Sequence, residues 1–162
     1  MPALQYWLPP CCSSSCVKKE NSLNDFFESV QQDTQSIREY LRSRNRDSGI
    51  VIHPSGLVYK IVAPGNGIDT IHLDQTPTVI FKRSLLREER LIESSQNLPT
   101  KFDGRKLKDH IAGWQIGLRL ITKGGHIIMY IPSSLAFGST GIPGTIPPDA
   151  ILVCDVKLVD FK

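Results

Sequence analysis

Ile146-Pro147-Pro148-Asp149-Ala150-Ile151-Leu152-Val153-Cys154-Asp155-Val156-Lys157-Leu158 is the stretch on which the fold turns. Pro147 and Pro148 forbid a helix there, because each lacks an N–H and fixes φ. The apolar run that follows predicts a strong closing strand over Ile151–Phe161. Cys154 sits inside that run and is expected to be a small buried hydrophobe rather than a reactive thiol. Upstream, residues 136–150 are rich in Gly and Pro and predict a long loop leading into the strand.

Working outward, period-two patterns predict further strands over residues 57–62, 77–86 and 126–131. Leu91–Glu93 and Pro99–Phe102 predict two short ones, and Gly124-Gly125 a tight turn. His110–Leu120 is apolar on most sides, which predicts a short buried helix. Strands joined by short turns, without βαβ alternation, predict an α+β domain. Its expected form is a curved, mostly antiparallel sheet of about five or six strands wrapping one short helix.

In front of this unit, Leu23, Phe26, Phe27, Val30, Thr34, Ile37, Tyr40 and Leu41 recur at helical spacing. They predict an amphipathic helix over residues 23–43, with Ser22 as N-cap and Asp25 in the capping-box position. The apolar stripe suits packing on its own domain or a homodimer seam, and three heptads are too few to argue a coiled coil. The chain therefore divides into a tail (1–22), a helix with linker (23–54) and the α+β domain (55–162).

Composition removes several classes of function. The chain has 162 residues, 40% apolar and 22% charged, with a net charge of +3. That is ordinary globular usage, and too mildly basic to argue for nucleic acid. Positive residues outnumber negative ones two to one between Lys82 and Lys108. Without interleaved aromatics, that mixture predicts a solvated face. No segment approaches the ~20 apolar residues of a spanning helix.

Catalytic sets are missing. Ser133-Ser134 is not in a nucleophile-elbow motif, and His53, His72, His110 and His126 are scattered singly. Gly138–Gly144 lacks the Lys-Ser/Thr of a phosphate loop and leads into a strand. Cys11, Cys12 and Cys16 lack a fourth ligand and any Cys-x-x-Cys spacing, so no metal and no cofactor is expected. Ser13-Ser14-Ser15-Cys16 has the look of a lipoprotein cleavage site, with Cys16 the lipidated residue. The basic start and full apolar core of such a signal are not found in residues 1–10. A cell-envelope, periplasm-facing location is thus set against a cytoplasmic protein with a serine-rich tail. Membrane contact is expected only through the lipid.

What remains is an apolar constellation: Trp114 on the buried helix, Phe137 and Ile146 on the loop, Phe81 and Phe102 on strands. Such a pocket suits a donor-poor ligand, and proline is one.

Three blocks carry a family resemblance. Ile111-Ala112-Gly113-Trp114-Gln115-Ile116-Gly117-Leu118 resembles the "V/I-x-G-W-x-x-G-L" helix of FKBP-type peptidyl-prolyl cis-trans isomerases. Ile131-Pro132-Ser133-Ser134-Leu135-Ala136-Phe137-Gly138 is similar to their "I-P-x-x-L-A-Y-G" segment. The stretch from Ile146 to Leu158 resembles "I-P-P-N-A-x-L-x-F-D-V-E-L", and Ser55–Tyr59 resembles the opening strand. The Cys tail, helix and domain in that order are similar to bacterial lipoprotein members.

The resemblance implies an isomerase that helps exported proteins fold, with proline-containing polypeptides as partners. It implies a catalytic set of Phe81, Glu93, Phe137 and Trp114, with Trp114 the pocket floor. It implies substrate contacts from Ile92, Phe102, His110, Ile111, Ile142, Ile146 and Cys154. Several of these depart from the family pattern. Phe81 and Phe137 stand where tyrosines are usual, Ile92 replaces an aromatic, Glu93 an aspartate, and Cys154 the floor phenylalanine. Each lost hydrogen bond costs about 1 kcal/mol, so activity about ten- to several-hundred-fold lower is expected. The alternative on the same fold is a non-catalytic holdase for proline segments.

Overall fold

The structure is a computed structural model that describes residues 14–162, with side chains described from residue 22 onward. Cys11, Cys12 and the prolines at 2, 9 and 10 lie outside the described residues. The chain runs α1 (Ser14–Ser43), β1 (Val51–Ile52), β2 (Val58–Ala63), β3 (Pro77–Leu85), β4 (Leu91–Ser94), α2 (Ala112–Gly117), β5 (His126–Ile131) and β6 (Leu152–Phe161). All pairings are antiparallel, in the order β1-β2-β5-β6-β3-β4. This is the predicted α+β architecture, with the short helix on one face of the sheet.

β6 is the organising strand. It pairs with β3 over nine registered positions and with β5 over six, as its apolar run anticipates. Alternate residues Leu152, Cys154, Val156 and Leu158 are all buried on the inner face, the period-two outcome for a central strand. They meet Ile127, Met129 and Ile131 of β5, Val79 and Phe81 of β3, and Trp114 and Leu118 in one core. Irregular register in β2, β3 and at the β3–β4 pairing marks bulges, which bend and twist a sheet.

The other face of the sheet carries α1. Ile37 and Leu41 are fully buried against Val58, Leu86, Tyr130 and Ile151. The C-terminal half of the stripe therefore packs on its own domain, whereas Leu23, Phe26 and Phe27 are exposed. Polar ties fix the docking. The Thr34 hydroxyl is shared between Val30 O at 2.7 Å and Gly56 O at 3.0 Å, and Ser29 and Ser134 hydroxyls meet at 2.8 Å. At the far end Tyr40 OH donates to Glu89, which also pairs with Arg44 at 3.1 Å.

Four local expectations need correction. Helix α1 begins at Ser14, so Ser22 is inside it rather than its cap, and the supposed tail is partly helix. Intrahelical hydrogen bonds serve its backbone there, and no capping side chain is needed. Ile50-Val51-Ile52 is not only linker: Val51 and Ile52 add an edge strand to β2. Pro99–Phe102 is not a strand; Thr100 alone bridges Val79, with N–H···O bonds of 3.0 and 2.8 Å. Phe102 lies instead in a tight turn with φ of 47°, a left-handed conformation that ends strand geometry.

Candidate active site

Helix α2 packs closely on the side chains of β5, and two glycines allow it. A Cβ at Gly113 would lie 2.5 Å from Ile131 Cγ2, and one at Gly117 would lie 2.1 Å from Met129 Sδ. This approach plants Trp114 in the centre of the inner core, where its exposure is 0%. The loop before the helix is pinned by Gln115, whose amide donates to His110 O at 2.7 Å and Lys108 O at 3.0 Å.

Around Trp114 the expected rings do converge. Phe81 is 5.7 Å away and Phe102 5.4 Å away, both edge-on at 77°. Phe81 and Phe102 are themselves 4.8 Å apart. Tilted and edge-on pairs of this kind match the ring quadrupoles. His110 stacks on Trp114 at 5.3 Å with an interplanar angle of 21°. Ile92, Ile111, Phe137 and Ile142 are half-buried against the same core, and Ile146 is buried within it. Ile142 and Ile146 exchange two 2.8 Å backbone hydrogen bonds, so the loop tip is a closed turn that holds Ile146 inward. The carbonyl of Ile111 accepts from Trp114 N–H at 2.9 Å and from Gln115 N–H at 3.2 Å.

One residue departs from the solvated face expected between Lys82 and Lys108, whose other charged residues are exposed. Arg83 lies on the same face of β3 as Phe81 and turns its guanidinium into the ring cluster. Its Cζ is 5.4 Å from the Trp114 ring centre, 5.8 Å from Phe81 and 6.0 Å from Phe137. Its side chain is only 12% exposed, and its ion pair is a single 3.3 Å contact from Nη1 to Glu93 Oε2. Directly across the strand pair, Arg83 faces Cys154. The thiol is small where the family pattern has a phenylalanine, and the guanidinium reaches it. Burial pushes the Cys154 thiol up, while the nearby Arg83 charge and contacts from Trp114 and Arg83 oppose the rise. A raised thiol pKa keeps it protonated and inert.

The site is also polar in an unfinished way. Among the described residues, the buried side-chain nitrogens without hydrogen-bond geometry to any partner are Arg83 Nε, His110 Nε2 and Trp114 Nε1. All three belong to this one cluster. Buried donors are normally satisfied; here Trp114 and Arg83 have beside them the Cys154 thiol, a weak acceptor. Burial, then the Arg105 and Arg83 charges, depress the His110 pKa, which favours a neutral ring against Trp114. Sequence reading missed Arg83, although two signals were present: its two-residue spacing from Phe81, and Cys154 in a large residue's place.

Comparison with known proteins identifies the family. The family model described as FKBP-type peptidyl-prolyl cis-trans isomerase matches residues 69–159. The Escherichia coli K12 protein named FKBP-type peptidyl-prolyl cis-trans isomerase FkpA is 37% identical over 126 residues, covering 77% of this chain and 45% of that one. A probable isomerase of the same type from Haemophilus influenzae is 37% identical, covering 67% of this chain and 44% of its own. The chain thus spans about half the length of the curated relatives it matches. The crystal structure of Escherichia coli FkpA superposes with a TM-score of 0.65 at 32% identity, covering 89% of this chain and 66% of that one. A Pseudomonas syringae isomerase structure superposes at 0.66 with 21% identity, covering 82% and 96%, which supports the fold. By sequence, by fold and by the rings gathered round Trp114, the chain belongs to the FKBP-type peptidyl-prolyl cis-trans isomerase family.

Proposed function

We propose that this chain is a peptidyl-prolyl isomerase assisting the folding of exported proteins, working at reduced turnover. The observation that carries this reading is the packed ring cluster of Phe81, Phe102 and Trp114, with centroids 4.8 to 5.7 Å apart. Rotation about an X-Pro bond needs no nucleophile or metal. Its barrier of ~18–20 kcal/mol is amide resonance, and isomerisation takes tens to hundreds of seconds unaided. A dry aromatic seat holds the proline ring and disfavours the polar planar amide relative to the twisted one. Reduced turnover follows from two features. Phe81 and Phe137 have no hydroxyl to donate, and both Arg83 and His110 cover the Trp114 ring. A protease-coupled assay on an Ala-Leu-Pro-Phe peptide tests this: a measurable rate that Trp114→Ala lowers at least tenfold is expected. A rate equal to background at high protein concentration overturns the catalytic reading.

A second reading is a holdase for proline-rich segments. It is favoured by a groove of about 680 Å³ lined by Phe26, Phe27, Val30, Ile52 and Leu135, outside the ring cluster. Suppressed aggregation of an unfolded client, unchanged by Trp114→Ala, would support it over the first.

Exposed Leu23, Phe26 and Phe27 support a homodimer seam on the first half of α1, to be checked by sedimentation at several concentrations. A periplasm-facing envelope protein anchored through Cys16 fits the serine-rich stretch before that residue. Incorporation of a labelled fatty acid that Cys16→Ala abolishes would support it, and recovery in the cytoplasmic fraction would reject it.

A further inference from the structure

The isomerase reading treats Arg83 only as cover over Trp114 and makes no use of its charge. Its guanidinium is the one full charge set directly over the ring cluster, at 5.4 Å from Trp114. It is held there by desolvated packing over three rings, a strong form of cation–π contact. Its only ion partner among the described residues is Glu93, whose own side chain is 49% exposed. A guanidinium carries five N–H donors in a planar fork that matches carboxylates bidentately. Here one N–H meets Glu93 through a long 3.3 Å contact, and Nε is buried without a partner.

One further cation acts on this cluster: Arg105, whose charge reaches His110, with the carboxylate of Asp109 opposing it there. Proline itself offers nothing to a guanidinium. A carboxylate beside it does, and successive Cα atoms are only ~3.8 Å apart, so a neighbouring side chain falls within reach of Arg83 when the proline packs at the half-buried edge of the cluster, at Phe102 and Ile142.

We infer that Arg83 is a specificity-determining residue that directs this site to prolines flanked by an acidic residue, the substrate carboxylate taking Arg83 from Glu93. This rests on the prolyl-site reading above. In the free protein Glu93 holds the charge in place; in the complex the fork turns from a half-solvated partner to a desolvated one, which strengthens charge-assisted hydrogen bonds.

The test uses four peptides, Ala-Glu-Pro-Phe, Ala-Gln-Pro-Phe, Ala-Pro-Glu-Phe and Ala-Pro-Gln-Phe. Binding is read from the Trp114 indole N–H resonance, and turnover is read separately by exchange spectroscopy. The Glu peptide is expected to bind about tenfold more tightly than its Gln counterpart in at least one order. Arg83→Met should bring the two within about twofold, and Glu93→Gln, which removes the internal competitor, should widen the gap about threefold. Equal binding of Glu and Gln peptides in both orders, no Trp114 response to any peptide, or a preference that survives Arg83→Met each overturn the inference. Turnover without the preference sinks the inference and leaves the isomerase reading standing. Preference without turnover does the reverse.

Discussion

Asp33 and Ser133 form a two-point clasp: Oδ2 of Asp33 accepts the Ser133 backbone N–H at 2.8 Å and the Ser133 hydroxyl at 2.6 Å. The contact joins the middle of α1 to the turn that follows β5. Ser133 is buried, and Leu135 and Phe137, two and four residues on, belong to the inner core and the site wall. The helix outside the sheet is thereby coupled to the loop that shapes the site.

Asp33→Ala leaves both Ser133 donors buried without a partner. Hydrogen bonds to a charged group contribute about 1.5–3 kcal/mol, so a loss of about 2 kcal/mol is expected in urea unfolding. Asp33→Asn, which keeps an acceptor oxygen, should recover roughly half of it. An unchanged midpoint for Asp33→Ala would show that α1 is not docked through this clasp.

Gly56 is where the helix leaves no room. Its φ is +86°, and a Cβ there would lie 2.2 Å from Val30 Cγ1. Gly67 has a similar φ of +75° and open space around it. Gly67→Ala should cost about 1 kcal/mol, the left-handed backbone term alone. Gly56→Ala adds a clash worth about 1–3 kcal/mol, unless α1 lifts away. Thermal melts of the two variants separate the terms, and equal shifts would contradict the packing.

Arg83 and Cys154 share one volume, so their substitutions should be strongly coupled. Cys154→Phe alone must push the guanidinium out or strain the core, at about 1–3 kcal/mol. In an Arg83→Gly background the same ring has space. A double-mutant cycle should give a coupling of at least about 1 kcal/mol, and a value near zero would place the two side chains apart.

His110 makes stability depend on pH in a definite direction. Its proton affinity in the folded chain is lowered, first by burial and then by Arg105 and Arg83, whereas the unfolded chain has the ordinary value near 6.5. The unfolded state therefore binds the proton more tightly. The contribution is complete above about pH 6.5 and is lost as pH falls through the lowered folded value. His110→Phe, which keeps a ring on Trp114, should flatten the dependence of Tm on pH between 5 and 7; an identical slope in both proteins would exclude His110 as its source.

Strand positions were legible because their cause is local. Alternation in β3, β5 and β6 reports one face turned to the core, and β5 matched its expected bounds, His126–Ile131. The ring set was legible for the same reason, with Phe81 and Trp114 each in a strongly patterned element. Phe102 was expected on a strand, because nothing in Pro99–Phe102 announces the left-handed turn. The start of α1 was hidden by Ser22 and Asp25, which resemble a cap whether or not the helix continues through them.

Sequence alone determined the family and the antiparallel framework, and it picked out rings that the fold gathers round Trp114, since each depends on residue type at a fixed spacing. Tertiary structure decided what occupies the seat. Arg83 sits among charges that suggest a solvated face, and its burial depends on Cys154, seventy-one positions away in sequence and opposite it in the sheet. Only strand pairing brings the small residue and the long one together, where the second packs its charge over three rings.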